Sequence, residues 1–461
     1  MNIILPANGW RPRDYQMPAW TALEAGVKRL ALAWHRRAGK DDLCLHWAAT
    51  CAMTRVGAYW HMLPQHNQAR KAIWDAINPR TGRRRIDDAF PHELRATTRE
   101  QDMFIRFKTG STWQVVGSDN YDALVGSPPV GAVFSEYALS DPSAWGFLRP
   151  ILAENGGWAL FISTPRGNNH FARMVRYAQA NPGEWFGQVL GVDDTGAIPP
   201  DVIARELREL SAERGEREAE ALVAQEYHCD FNAAIPGAYY GAHMARADKE
   251  GRIGSQYRWL PHLPVGTAWD IGHNDSTVVW MYQQPPGGMV RIIDVLEGSG
   301  VGIDWYAAKL RQREYAWADH IWPHDGGHGN IRDIGGASLK GNAEKLGVRP
   351  IRVLERDTSV QVGIQAVRAM FPLLEFGTEP LPFDGEDREQ AAARMSRALD
   401  ALRQYRRKWN EDSQRFDDNP FHDWTSNTAD ALRYLARGRK PFYNRAPAGV
   451  PGGRASQAIT D

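Results

Sequence analysis

The sequence predicts an α/β protein of two modules in series: a mostly parallel sheet carrying a phosphate-binding loop, then a second α/β module of different strand order. Three observations predict it. The apolar run Leu30-Ala31-Leu32-Ala33 meets the basic stretch Trp34-His35-Arg36-Arg37-Ala38-Gly39-Lys40-Asp41-Asp42, and residues of helical character, Leu43 to Ala49, follow. Further apolar runs then alternate with helical segments as far as residue 192. From Val265 onward, by contrast, strand-like runs succeed one another with only turns between them. Alternation of strand and helix implies a parallel sheet covered on both faces, whereas runs joined by turns imply antiparallel pairing.

Composition narrows the function classes. A chain of 461 residues with 43% hydrophobic residues has enough apolar mass for two or three cores. No apolar run reaches the roughly eighteen residues of a membrane span, and the start MNIILPANGWRPRDYQ turns polar too soon for a secretory leader. The expectation is a soluble intracellular protein with no membrane partner. Cys44, Cys51 and Cys229 are too few and too scattered for a disulfide framework or a zinc cluster, and the first two are expected to pack on a helix. Lys plus Arg equals Asp plus Glu at 55 each, which excludes a protein that coats nucleic acid passively. Any such contact is made by local patches or is transient.

The elements of the first module follow in order. Measured against G-x-x-x-x-G-K-[ST], Gly39 and Lys40 fit, while Trp34 stands at the first glycine and Asp41 at the hydroxyl. In such a loop, backbone N–H groups at a helix N-terminus surround phosphate oxygens and the lysine reaches them. Upstream, Arg11-Pro12-Arg13-Asp14-Tyr15-Gln16 offers a primary amide, Gln16, able to donate and accept at an adenine edge; the alternative is a plain polar helix start. Gly57 to Leu63 reads as a buried strand. Arg80 to Arg85 is a basic run, either a solvated surface or a phosphate-backbone contact. Phe104 to Phe107 and Thr112 to Val116, separated by Lys108-Thr109-Gly110-Ser111, form a hairpin signal. Val130 to Glu136 is an apolar strand ending in an acid. ATPases of this layout place there an aspartate linked to the metal and then a glutamate that activates water; here Ser135 holds the first position and Glu136 the second. Trp158 to Ile162 is another strand, and its end, Ser163-Thr164, faces the ligand edge of an open sheet. Pro199-Pro200-Asp201 starts a densely charged helical stretch interrupted by Gly215, read as a small lid or hinge.

The second module begins with Val265 to Asp270, a strand ending in a carboxylate. Thr277 to Tyr282 and Val290 to Val295 continue it, a helix near Asp304 to Arg313 follows, and the strand His320 to Pro323 ends at Asp325. Three strands in a meander, a helix and another strand give the ribonuclease-H-like order. Asp430, expected in the first turn of the late helix Thr428 to Leu435, completes three distant carboxylates of the kind that hold two Mg²⁺ or Mn²⁺ ions with hard anionic oxygens. Asp275 and Asp423 are weaker candidates, and His324, His328 and His422 are ligands, proton shuttles or surface residues.

By this point the chain resembles the large terminase subunit of tailed bacteriophages, over roughly residues 10–440, through the ordered pieces RDYQ, HRRAGKDD, FSEY, STPRGNNHF, AWDIGHNDSTVV, PHDGG and SNTADALRYLA. The resemblance implies a DNA-packaging ATPase at 1–192, a helical lid or linker at 193–258, a ribonuclease-H-like nuclease at 259–440 and a flexible tail at 441–461. It implies Arg36, Arg37, Ala38, Gly39, Lys40, Asp41 and Asp42 as the ATP-phosphate loop, Gln16 as adenine contact, Glu136 as catalytic glutamate, and Ser163 with Thr164 as the coupling motif. Asp270, Asp325 and Asp430 become nuclease metal ligands. Double-stranded DNA, the portal protein of a procapsid, a small terminase subunit and a pentameric ring are the implied partners. The implied place is the cytoplasm of an infected bacterium, outside the mature virion. Arg36, Arg37, Arg99 and Arg106 are candidate arginine fingers, and Arg403, Arg406, Arg407 and Lys408 candidate DNA contacts. The missing hydroxyl after Lys40 and the missing acid before Glu136 look like an exchange: Asp41 for the anionic contact to ATP-bound Mg²⁺, Ser135 for the neutral one, with Asp42 as a helix cap; the alternative is that Asp41 is the cap and Mg²⁺ is held only by phosphates and water. The other readings are a repair or restriction motor with a fused nuclease, and a nucleotide-binding assembly protein that does not hydrolyse.

Overall fold

The computed structural model describes all residues except 1–2, 120–127, 232–234, 236, 273–275, 325, 327–337, 357–358, 411–414 and 441–461. Contacts divide the chain into two units, Met1–Pro236 and Gly237–Asp461. The division falls inside the stretch 193–258.

The first unit holds a sheet of eight strands among the described residues: β1 (Arg29–Trp34), β2 (Ala58–Leu63), β3 (Arg95–Arg99), β4 (Phe104–Phe107), β5 (Thr112–Gly117), β6 (Pro129–Ser135), β7 (Trp158–Ser163) and β8 (Trp185–Leu190). Their order is β3-β4-β5-β2-β6-β7-β1-β8. From β5 to β8 every pairing is parallel, and β3-β4-β5 is an antiparallel edge that contains the expected hairpin. The central strands are largely apolar, His61 of β2 apart, because both faces are covered. Alternate residues show this directly: Ala31, Ala33, Phe134 and Phe161 enter one core, while Leu30, Leu32, Trp34, Val133, Leu160 and Ile162 enter another on the opposite face. Because β2, β6, β7 and β1 are parallel neighbours, their carboxyl ends share one sheet edge. β3 and β8 carry little of the apolar alternation that marks the other strands, and sequence reading passes over them. The charged stretch is two packed helices, Pro200–Arg214 and Glu216–Glu226, with Gly215 at φ 86° between them.

The second unit has β9 (Ile253–Gly254), β10 (Val265–Asp270), β11 (Thr277–Gln283), β12 (Val290–Gly298), β13 (Trp317–Trp322), β14 (Ile351–Val353) and β15 (Leu374–Gly377) in one sheet, ordered β14-β13-β10-β11-β12-β15-β9. β10, β11 and β12 form the antiparallel meander, and β13 returns beside β10 in parallel. This is the ribonuclease-H-like order the sequence predicts, extended by β15 and β9 beside β12. The helix Ser426–Gly438 lies on β10 and β11, its Ala429 and Leu432 packed with Ala268 and Trp280. A separate hairpin pairs β16 (Arg407–Asn410) with β17 (Arg415–Pro420).

Candidate ATP site and candidate nuclease carboxylates

The phosphate loop starts later than the motif suggests. Trp34 is the last, fully buried residue of β1, so the loop is only His35 to Gly39 and needs no glycine at position 34. Gly39 is needed where it stands. Its φ is +77°, in the left-handed region, and a Cβ there would lie 2.9 Å from Gln16 Nε2. Arg37 and Glu136 adopt the same region without being glycine, at φ 67° and 53°, a conformation that costs about 1–3 kcal/mol and marks functional turns. The loop is anchored by His35 N donating to Leu190 O at 2.9 Å and Arg36 N donating to Glu226 O at 2.8 Å. Both side chains, Arg36 and Arg37, remain exposed.

The helix Lys40–Thr54 follows at once, with its Cys44 buried and Cys51 half-buried, both free thiols. Lys40 Nζ lies back across the loop, donating to Trp34 O at 2.9 Å and His35 O at 3.2 Å. Ser135 Oγ donates to Asp41 Oδ1 at 2.7 Å, and His61 Nε2 meets the same oxygen at 3.2 Å. Among the described residues, Oδ2 of Asp41 has no hydrogen-bond partner. Burial alone pushes the Asp41 pKa up, but the bond and charge of His61, the bond from Ser135 and the charge of Lys40 outweigh it and hold the carboxyl at about 2. An ionised carboxylate with one bare oxygen, beside a hydroxyl, is a donor set that fits an ATP-bound Mg²⁺.

Glu136 stands next to this pair at the end of β6. Burial raises its pKa, opposed by the charges of Lys40 and Arg166. Ser163 Oγ donates to Glu136 Oε2 at 3.5 Å, the long limit for such a bond, while Thr164 Oγ1 is buried without a partner among the described residues. Arg166, three residues beyond Ser163, is ion-paired with Glu226 at the end of the helix Glu216–Glu226. Burial raises Glu226, but Arg166 first, then Arg36 and Lys40, together outweigh it and hold the carboxyl below its usual range. The loop after β7 is thereby tied to the same helix end that anchors Arg36.

Several expectations are corrected here. Asp42 is not a cap: Gly39 is the N-cap residue, no side chain caps the helix, and Asp42 pairs instead with Arg85 at 3.5 Å. Gln16 is buried, with its carbonyl accepting from Arg13 N at 3.0 Å and its amide donating to Ala38 O at 2.8 Å and Gly39 O at 3.2 Å. In this arrangement the amide supports the loop and is committed before it meets any adenine. Within the basic run 80–85, three arginines are paired locally: Arg83 with Asp88 at 3.1 Å, Arg84 with Asp87 at 2.9 Å and Glu100 at 3.0 Å, and Arg85 with Asp42 at 3.5 Å. Arg99 pairs with Asp102 at 3.2 Å.

In the second unit Asp270 ends β10, half-buried. Asp325, Asp275 and His328 lie outside the described residues. Asp430 sits in the second turn of its helix, not the first, since the helix begins at Ser426. Its Oδ1 accepts from Arg433 Nη2 at 2.7 Å, Arg433 Nε at 2.9 Å and Tyr405 OH at 3.2 Å. Asp423, just before that helix, pairs with Arg406 at 3.1 Å and accepts from Thr425 N at 3.0 Å. Arg403 pairs with Asp248 at 3.0 Å. No group of three or more His, Cys, Asp or Glu able to hold a metal is found among the described residues. None of their helices is long and apolar enough to cross a membrane.

No family model matches the sequence. A stretch of 80 residues is 37% identical to the large terminase subunit of Escherichia phage T5, covering 17% of this chain and only 18% of that protein's length. The large terminase of a thermophilic bacteriophage, solved in complex with ADP, aligns over 93% of this chain and 99% of its own at TM-score 0.39 and 15% identity. The large terminase ATPase domain of Thermus phage P74-26 aligns over 50% of this chain and 99% of its own at TM-score 0.38 and 18% identity, and the P22 large terminase nuclease domain over 40% and 87% at 0.27 and 19%. The fold described above rests on strand order and pairing, not on these superpositions.

Proposed function

We propose that this chain is a large terminase subunit: an ATPase that drives double-stranded DNA into a procapsid, joined to an endonuclease that cuts it. The observation that carries the reading is the meeting of Lys40, Asp41, Ser135 and Glu136 at the carboxyl edge of one parallel sheet. Lys40 and the loop N–H groups bind the phosphates, Asp41 supplies the anionic contact to ATP-bound Mg²⁺ and Ser135 the neutral one, and Glu136 orients the attacking water. Bound Mg²⁺ neutralises charge that develops on the phosphates. Ser163 and Thr164 lie where the state of the phosphate can be felt, and Arg36 and Arg37 are free to approach it.

The ribonuclease-H-like strand order of the second unit supports the second activity. Asp270, Asp325 and Asp430 remain the proposed ligands for two Mg²⁺ or Mn²⁺ ions, with Asp430 exchanging Arg433 for metal. The antiparallel meander speaks against a helicase-type motor, whose second core would repeat the parallel sheet. The proposed assembly is a pentameric ring on the portal, fed by a small terminase subunit, in the cytoplasm of the infected host and absent from the mature virion. Steady-state ATPase and Mn²⁺-dependent DNA cleavage, measured on the same preparations, test it. Lys40→Ala is expected to lower ATP turnover by about a hundredfold or more while leaving cleavage intact, and Asp270→Ala the reverse. Joint loss of both activities in a folded variant, or no DNA-stimulated turnover in the parent, overturns the reading.

A further inference from the structure

We propose that His61 is a positioning residue of the ATP site, orienting the Asp41 carboxylate so that its free oxygen faces the nucleotide-bound metal; this rests on the ATPase reading above. His61 belongs to β2 and is fully buried, with Val115 of β5 and Val133 of β6 as its register partners. A histidine there breaks an otherwise apolar central strand, and leaving it without a purpose would be unfavourable: its Nδ1 is buried with no partner among the described residues. Among the described residues the ring therefore has one polar contact, Nε2 to Asp41 Oδ1 at 3.2 Å. Nε2 faces the Asp41 carboxylate and Nδ1 lies in the core, the ring standing edge-on to Trp113 at 6.2 Å between ring centres.

The geometry fixes more than one bond. Asp41 is the second residue of its helix, and a carboxylate held by one bond still swings about χ1 and χ2. Ser135, from the end of β6, and His61, from within β2, grip the same oxygen from two different strands. Two donors on Oδ1 leave Oδ2 without a partner among the described residues on a side chain that is 22% exposed, and both donors come from the sheet. Such partners of a metal-binding carboxylate set its orientation, and losing one lowers metal affinity by about 10- to 100-fold. The hydroxyl that usually follows the P-loop lysine has no such requirement, since it rotates freely and bears no charge to misplace. A carboxylate in that place does need a fixed direction, because any other orientation sets its charge against the triphosphate. His61 is thus the companion that the exchange of Asp41 and Ser135 calls for.

The test uses the full chain and a fluorescent ATP analogue, titrated once with Mg²⁺ and once with a chelator. The ratio of the two dissociation constants isolates the metal. His61→Leu removes the donor; His61→Gln keeps an N–H at a similar reach. The expected result is that His61→Leu reduces the Mg²⁺-dependent gain in affinity by about tenfold, leaves the chelator value unchanged, and that His61→Gln restores most of the gain. An unchanged ratio in His61→Leu, equal weakening in both titrations, or a glutamine variant no better than leucine overturns the proposal. A parent protein whose affinity ignores Mg²⁺ defeats instead the ATP-site reading on which the proposal stands.

Discussion

Two carboxylates, one in each unit, serve opposite ends: the Asp41 side chain keeps 22% of its exposure, and that of Asp294 keeps 0%. Asp41 in the first unit has both its donors on Oδ1 and, among the described residues, no partner on Oδ2. Asp294 in β12 of the second unit is fully buried and has both oxygens used: Oδ2 by Arg313 at 2.8 Å, Oδ1 by Arg394 and by Val295 N at 2.8 Å. Phe383 covers the cluster, 3.7 Å from the Arg313 guanidinium carbon and 4.6 Å from that of Arg394. Burial keeps the Asp294 pKa raised in spite of both cations, whereas Asp41 is held down. The difference teaches that a buried charge is no signature of a site. What separates the two is unsatisfied capacity: the closed cluster holds β12 to its neighbouring helices, and the open carboxylate waits for a cation.

The contrast breaks first at the closed cluster. Arg313→Met leaves Asp294 with half its compensation, and truncating one member of a buried ion cluster costs about 3–5 kcal/mol. The expected result is a large fall in the melting temperature of the second unit with MgATP affinity unchanged. A loss of nucleotide binding of the same size would mean that the cluster is not purely structural.

A smaller effect is expected for the pair Arg166 and Glu226, which is less enclosed. Arg166 holds the Glu226 carboxyl below its usual pKa against the effect of burial, so the pair stabilises fully above the ordinary glutamate range and less as pH falls through the folded value. Arg166→Ala is therefore expected to destabilise the first unit by about 2 kcal/mol at neutral pH, with the deficit shrinking in acid. Urea unfolding at several pH values measures it; a deficit that grows toward acid contradicts the assignment.

The same contrast explains what the sequence discloses. Strands and the phosphate loop are legible because their signals are contiguous: an apolar run, Gly39-Lys40, a helix. The ribonuclease-H-like order is legible because turns separate its first three strands. His61 is not, since its meaning comes from Asp41 and Ser135, brought beside it only when β2 and β6 pair. The error at Asp42 has a local cause: the helix starts directly after Gly39, so a carboxylate in its first turn turns toward Arg85 and not back to cap. Asp430 shows a signal passed over, for Arg433 lies one helical turn away, the spacing at which opposite charges meet. The neutralised run Arg83 to Arg85 needed the fold, because its acids come from three separate segments.

The measurement that bears most directly on the central claim is the Mg²⁺ dependence of ATP turnover across Asp41→Ala, Asp41→Ser, Asp42→Ala and the double exchange Asp41→Ser with Ser135→Asp. The Asp41–Ser135 bond puts the two groups in one place, so exchanging them should restore the ordinary arrangement. Asp41→Ala is expected to raise the Mg²⁺ needed for half-maximal turnover by about tenfold or more, Asp42→Ala to leave it alone, and the double exchange to recover most of what Asp41→Ser loses. An unchanged Mg²⁺ requirement in Asp41→Ala, or a double exchange no better than Asp41→Ser, would contradict the account.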